Sequence, residues 1–525
     1  MTVRAGRLTL ASVVALWIGL SACARPVATP ASPQAAPTLT LFVSADLRGY
    51  LAPCGCSENM RGGIARAAHQ VLEARRDAPG RVFYVDGGNS LFSSARLTAA
   101  QRPQEERKAR ALAEAFSLMK LDARAVGERD GALGEAFRES LQLPELTSGH
   151  MRLFQNGGAT IGIAAGSDLT SLQRAARSAK ASGARFVVGL FTGTFTEAQR
   201  LAAEAGPHGL PLDLIVASHA EGEADGEENR LIRSTPPVAR VQSKGRSLMR
   251  IDVAFGPRTD SEAGFELLTT GDEVAQSLQT LSDRIALSEK QLNQPGLSEE
   301  SRALRREKLA ELVRRRESLA DEQAPELGGR DAFSVRFIAL DAVLPSAPEG
   351  RAIVERYDRD VGKLNLAWAQ QHGEDCPPAT PEEPGFVGNA PCLACHPQAG
   401  AVYEKTKHAH AYETLQTQGK GYHLDCVGCH VTGWQRPDGV CRVDKVEDRA
   451  SVGCESCHGP GSRHVVEPVK ETIRLGNAPQ ACVGCHDPEN SPHFDFAQYL
   501  PVILGPGHGR PAAESPADGS PQTPR

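Results

Sequence analysis

The sequence predicts a multidomain chain made of an α/β domain, a helical hairpin and a C-terminal domain of short helices and loops. Three observations carry this. Between residues 38 and 257 short apolar runs alternate with stretches of helical spacing. From 273 to 322 the composition turns charged, with apolar residues at mostly three- and four-residue steps. Finally, four copies of Cys-x-x-Cys-His crowd residues 392–486. The 525 residues suffice for two or more buried cores, and the mild net charge of −6 argues against a nucleic-acid partner.

At the N-terminus Arg4 and Arg7 precede an apolar run from Leu8 to Leu20, then Ser21-Ala22-Cys23. The run is shorter than the ~20 residues that span a bilayer. The pattern resembles a bacterial lipoprotein signal, which implies a signal peptide over 1–22 and Cys23 as the lipidated first residue of an exported, membrane-anchored chain. Ala24, rather than Asp, after that Cys resembles the signal for outer-membrane sorting. Residues 23–38 are mostly Pro, Ala and Thr and read as a flexible tether.

Within 39–260 the apolar runs Leu39–Val43, Val82–Val85, Ile161–Ala165, Phe186–Leu190 and Leu214–Val216 read as strands. Ile64–Ala74 and Glu105–Leu118 have helical spacing between them. Over 265–325, Asn293-Gln-Pro-Gly296 interrupts an apolar seam, and Ser298 before two glutamates is an N-cap for a second helix, giving an antiparallel hairpin. Its seam is structural, with docking of a partner as the alternative. A connecting segment over 330–375 holds a strand, Val335–Val343, and a helix from about 349 to 370. Pro377, Pro378, Pro381 and Pro384 mark the next boundary, before the domain over 385–508; the tail 509–525 reads as disordered.

In each Cys-x-x-Cys-His copy two cysteines three apart lie on one face of a helical turn, where both thiols can add to the vinyl groups of one haem while the next His reaches the iron. The pairs are Cys392 and Cys395, Cys426 and Cys429, Cys454 and Cys457, and Cys482 and Cys485; the proximal ligands are His396, His430, His458 and His486. With 13 Cys and 15 His, random placement gives roughly 0.01 such pentapeptides, so four mean four covalent haem c groups. Structural zinc is the alternative, but it gives no reason for the recurring His. Eight cysteines to haem and Cys23 to lipid leave Cys54, Cys56, Cys376 and Cys441 for up to two disulfides of unspecified pairing. The Cys54-Gly-Cys56 pair could instead form a reducible disulfide or hold a soft metal.

The segment 386–508 resembles the tetrahaem family that contains cytochrome c-554. The resemblance rests on the first motif, Lys407-His408-Ala-His410-Ala-Tyr412, Cys426–Gly433, Gly453–Gly461 with His464, and the fourth motif with its following Ser-Pro-His-Phe-Asp. It implies His408, His464 and His508 as distal iron ligands, with His410, His423 or His493 available to the fourth iron, or that iron left five-coordinate. Four haems over residues 392–486 leave little room for a conventional core, so the porphyrins must supply much of the apolar surface.

Residues 38–253 resemble the metallophosphoesterase fold of periplasmic nucleotidases. The traces are Ser44-Ala-Asp46-Leu-Arg48-Gly49, Asp86-Gly-Gly88-Asn89, Gly127-Glu128-Arg129-Asp130 and Ser218-His219-Ala-Glu221. Only Asp46 and His219 match ligand positions; Arg48, Asn89, Glu128, Arg129 and Glu221 depart. A two-metal hydrolase needs a full set of His and carboxylate ligands, so the expectation is a sandwich kept without its chemistry, with a single-metal site from Asp46, Asn89, Glu128 and His219 as the alternative.

The resulting expectation is an extracytoplasmic, membrane-anchored tetrahaem cytochrome that exchanges electrons with redox partner proteins, with a catalytically silent docking domain. The alternatives are a haem redox enzyme acting on a small nitrogen or sulfur species, and a phosphoester hydrolase with a cytochrome attached.

Overall fold

The computed structural model describes residues 38–53, 60–156, 158–204, 209–218, 228–257, 264–269 and 299–320, scattered positions between 278 and 292, and 330–510 apart from 475, 477, 488–490, 492–493 and 507. The signal peptide, Cys23, Cys54, Cys56, His219, Glu221, His493, most of the tether and tail, and most of the first hairpin arm lie outside the described residues.

In chain order the first half contains β1 (Thr38–Ser44), α1 (Ile64–Asp77), β2 (Val82–Asp86), α2 (Arg102–Leu118), β3 (Ala123–Ala125), α3 (Glu135–Ser140), β4 (Glu145–Leu146), β5 (Met151–Asn156) and β6 (Ala159–Gly166). Then come α4 (Leu169–Ala181), β7 (Phe186–Phe191), α5 (Phe195–Glu204), β8 (Leu214–Ala217), β9 (Arg230–Ile232), β10 (Val238–Arg240), β11 (Ser247–Ala254) and β12 (Glu266–Leu268). The helix expected as the second hairpin arm is α6 (Glu299–Ala320), followed by β13 (Ala332–Ala339) and α7 (Pro348–His372).

The strands form two mixed sheets, ordered β12-β13-β11-β1-β2-β3-β4 and β5-β6-β7-β8-β10-β9. Alternation along the strands decides which side chains face inward. Leu39, Leu41 and Val43 of β1 meet Ile161, Ile163, Val188, Leu190 and Val216 of the other sheet in one buried cluster. Phe42 and Tyr84 point the other way, into a second cluster with Ala109, Leu112 and Phe116 of α2 and Tyr357 and Val361 of α7. On the far side Ala164, Val187 and Ile215 pack against Leu172 and Ala176 of α4 and Ala198 of α5. The result is four layers, helix, sheet, sheet, helix, with each fully buried large apolar side chain contributing about 1.5–3 kcal/mol.

Local signals explain the element ends. Pro103 in the first turn lets α2 begin three residues before the predicted Glu105. Asp168 caps α4 by accepting from the Ser171 amide at 2.8 Å, with Ser171 Oγ returning the bond. The predicted strand Val335–Val343 ends at Ala339: Leu340 turns inward and Val343 is 90% exposed. The same strand is more than a connection. It pairs antiparallel with β11 over eight residues and sits inside the seven-stranded sheet, while α7 packs across α1 and α2.

Beyond α7 regular structure is short: helices of five to eight residues joined by loops. One small apolar cluster, with Ala369 of α7, Tyr412, Leu415, Val427, Val431, Val440 and Val443, lies at the start of this region. A disulfide joins Cys376 to Cys441 across it. Among the described residues no helix is long and apolar enough to cross a membrane.

Candidate functional site

Each Cys-x-x-Cys-His copy occupies a helical turn or its end, so the two thiols of a copy share a face. Thiols of different copies also meet. Cys392 is hydrogen-bonded to Cys454, and Cys429 to Cys485, while Cys482 lies close enough to Cys457 to raise its thiol beyond what burial does. Spatially the copies therefore run first, third, fourth, second.

The chain folds histidines from distant segments into facing pairs. His396 lies against His464 with ring centroids 6.4 Å apart and planes within 18°. His408 faces His486 at 6.0 Å, and His458 faces His508 at 6.1 Å. Two imidazoles that each place a nitrogen about 2 Å from a shared metal hold their centroids roughly 6 Å apart. Backbone and hydroxyl oxygens hold the other nitrogen of most of these rings. His458 Nδ1 meets Arg474 O at 2.9 Å, His508 Nδ1 meets Ile503 O at 2.9 Å, His464 Nδ1 meets Val469 O at 3.1 Å and His486 Nδ1 meets Ser491 Oγ at 2.9 Å. Such bonds fix the tautomer, and Nε2 would then be the nitrogen to hold a metal. Burial pulls both His408 and His486 below their ordinary pKa, and His486 adds to the effect at His408, so both favour the neutral form that binds metal.

His430 differs. Its Nδ1 meets Ala411 O at 2.6 Å, but among the described residues no second imidazole faces it. His410 engages Glu413 through Nδ1 and the Glu404 carbonyl through Nε2 at the surface. His423 is buried against α7, with Nε2 on Asp358 O at 3.1 Å. Neither is turned toward His430 by these contacts.

The residues fit haem. Past Val443 no apolar residue among those described is fully buried, whereas Val465, Val466, Val469, Val483, Tyr499 and Val502 are exposed. Exposed apolar side chains and facing imidazoles in a region without a protein core suit a flat apolar macrocycle. One residue that sequence reasoning passed over organises the region. Glu455, inside the third motif and 1% exposed, accepts from the amides of Val387, Gly388 and Gly461 at 2.7–3.1 Å. Asn389 adds a bond from the Cys454 amide at 3.0 Å, tying the lead-in of the first motif to the third. A charged residue between the two cysteines was the available signal.

In the sandwich, Asp46, Asp86 and Asp130 are fully buried at the ends of the central strands. Arginines meet all three. Asp46 receives Arg48 Nε at 3.1–3.2 Å and Arg129 Nη1 at 2.9 Å. Arg124, which the sequence reading did not single out, places Nη2 2.7 Å from Asp130, Nη1 2.8 Å from Glu145 and Nε 3.8 Å from Asp86. Asp130 also accepts from the amides of Asn89, Ser90, Leu91 and Gly127, which fixes two loops. Asn89 bonds Ser218 through Nδ2 and the Arg129 amide through Oδ1. Burial pushes the Asp86 carboxyl up to about 6, Arg124 opposing and Asp130 adding to it. Asp46, Arg48 and Asn89 all hold positive φ, a backbone strain gathered at one site. Glu128 is exposed to solvent.

Parts of the chain are similar to known proteins. Residues 391–459 match the family described as cytochrome c554 and c-prime. Over 91 residues the chain is 35% identical to cytochrome c-554 of Nitrosomonas europaea, which covers 14% of this chain and 39% of that relative. The chain thus spans about two-fifths of the length of the curated relative it matches. The C-terminal region is thus similar to a c-type cytochrome family, a similarity that implies covalent haem c as its cofactor.

Among solved structures, similarity extends to a 5′-nucleotidase precursor of Thermus thermophilus, at 14% identity and TM-score 0.39 over 79% of this chain and 73% of that one. It extends also to the sulfate thiohydrolase SoxB of Thermus thermophilus, at 15% identity and TM-score 0.38 over 64% and 61%. The two-sheet sandwich itself stands on this chain's own strand order and register.

Proposed function

We propose that the chain is an extracytoplasmic electron-transfer protein carrying four haem c groups, three of them held between two histidines. The observation that carries this is the set of three facing pairs, His396 with His464, His408 with His486 and His458 with His508, each near 6 Å. Haem c supplies one-electron redox chemistry when bound. The chain's residues fix the histidine tautomers through Nδ1 hydrogen bonds and bring successive motifs close together. The thiol contacts support an order of first, third, fourth, second along which electrons pass between redox partner proteins. Cys23 serves as the lipid anchor on the periplasmic side, at the outer membrane.

The test is spectroscopic. A pyridine haemochrome assay should return four haems per chain. Replacing His408, His464 or His508 by Ala should each convert one haem from low to high spin in EPR while the haem count stays the same. Unchanged spectra in all three variants would overturn the ligand assignment.

A second reading is favoured by one observation: of the four motif histidines, only His430 faces no other imidazole among the described residues. An open fourth haem would let the protein act on a small nitrogen or sulfur species, and the wild type would then show one high-spin haem that binds nitric oxide. The sandwich is read as catalytically silent, because guanidinium groups neutralise Asp46 where a hydrolase needs cations. Added Mn²⁺ or Zn²⁺ should support no phosphoester hydrolysis; metal-dependent turnover lost in Asp46→Ala would promote the hydrolase reading.

A further inference from the structure

The second haem motif is carried by the Leu424–His430 helix, and the α/β sandwich grips the N-terminal end of that helix with buried polar groups. Gln104 of α2 accepts from the Leu424 amide at 3.1 Å and from Asn365 of α7 at 2.6 Å. Asn365 also donates to Tyr422 O at 2.9 Å. Lys108 of α2, only 3% exposed, bridges Glu105 at 2.7 Å and Asp425 at 2.9 Å, and Asp425 directly precedes the haem-bearing Cys426. Asp358 of α7 faces Lys420 at 3.7 Å and His423 at 3.9 Å on the flank. A buried ammonium is costly unless paired. Burial pulls Lys108 down, but Asp425 and Glu105 outweigh it and hold it well above its ordinary value, so it stays charged.

The loops of the arginine-filled site prepare this position. Gly49, three residues after Asp46 and at φ +79°, leaves room for the lysine stem: a Cβ there would fall 2.5 Å from Lys108 Cδ. Glu105 is held by the Ser93 amide at 3.0 Å, in the loop that Asp130 anchors through Ser90 and Leu91. The sandwich therefore holds the Lys108 ammonium, itself paired with Glu105, at the base of one haem helix. We infer that Lys108, paired with Asp425, is a positioning residue through which the α/β domain sets the reduction potential of the second haem. This gives the domain a role beyond docking, and it rests on haem loading of the second motif.

Coulomb's law fixes the signs. Oxidised haem carries one more positive charge than reduced haem, so a nearby cation favours reduction and a nearby carboxylate opposes it. The experiment is a redox titration of the full-length, haem-loaded protein, with the second haem assigned by its displacement in His430→Met, since a Met ligand raises the potential. Lys108→Met should lower that component about tenfold in reduction equilibrium, about 59 mV for one electron. Asp425→Asn, at a half-exposed position that tolerates the change, should raise it, and Lys108→Arg should stay near wild type. The other three components should not move. No displacement, displacement of the same sign in both variants, or a common shift of all four haems would each overturn the inference. Fewer than four haems in the wild type would instead fail the underlying reading.

Discussion

The sandwich and the haem region bury their interiors by different means. In the sandwich, two sheets and five packed helices cover three large apolar clusters, and even the polar centre is neutralised from within by Arg48, Arg124 and Arg129. In the haem region one seven-residue cluster lies against α7, and past it the chain is held by backbone-to-carboxylate bonds at Glu455, one disulfide and paired histidines. The first region neutralises its buried carboxylates with its own arginines. The second leaves many of its apolar side chains exposed. The contrast teaches that a fold's dependence on cofactor can be read from where its apolar side chains find cover.

The sharpest way to break this comparison is to prevent haem attachment. With all eight motif cysteines replaced by Ala, limited proteolysis should cut throughout the haem region and leave the strands and helices of the sandwich described above resistant. A stable haem-free C-terminal region would end the contrast. The next largest effect should come from Asp46→Ala, which removes the carboxylate shared by two buried guanidinium groups. Loss of one partner of a buried pair costs about 3–5 kcal/mol, read as a lower urea midpoint with the haem spectrum unchanged. An unchanged midpoint would show that Asp46 does not hold the two arginines in place.

Glu455→Gln should act in the opposite region. It removes a carboxylate that accepts from three amides, so the haem region should lose about 1.5–3 kcal/mol while the sandwich midpoint stays put. The smallest effect is the pH dependence of the sandwich. Asp86 has its folded pKa raised to about 6, above the unfolded carboxyl value. As pH falls from about 6 to 4, the folded chain takes up a proton that the unfolded chain binds only later, so this group adds stability on acidification. Asp86→Asn should remove that slope; identical slopes in the two proteins would place the proton elsewhere.

What the sequence could show depended on the range of the signal. The Cys-x-x-Cys-His copies are local, since attachment needs both thiols and the proximal His within one helical turn, and so all four were legible without a structure. Strand alternation was legible for the same reason, though Val335–Val343 overshot because an apolar run does not show where its sheet partner ends. Arg48 and Arg129 signalled positive charge near Asp46, but not that both guanidinium groups converge on it, nor that Arg124 neutralises Asp86 and Asp130. The pairings of His396 with His464, His408 with His486 and His458 with His508 join residues as many as 78 positions apart. No local pattern encodes such pairs; the resemblance only nominated the three distal members. The Cys376–Cys441 bond, one pairing among several open to the sequence, was likewise decided by the approach of two distant segments. The contact of Lys108 with Asp425 spans two domains and needed the packing of α2 against a haem helix. Chemistry confined to a turn was written in the residues themselves, whereas charge pairing and ligand pairing across the fold were settled by tertiary structure, because only burial brings those groups together and makes their pairing obligatory.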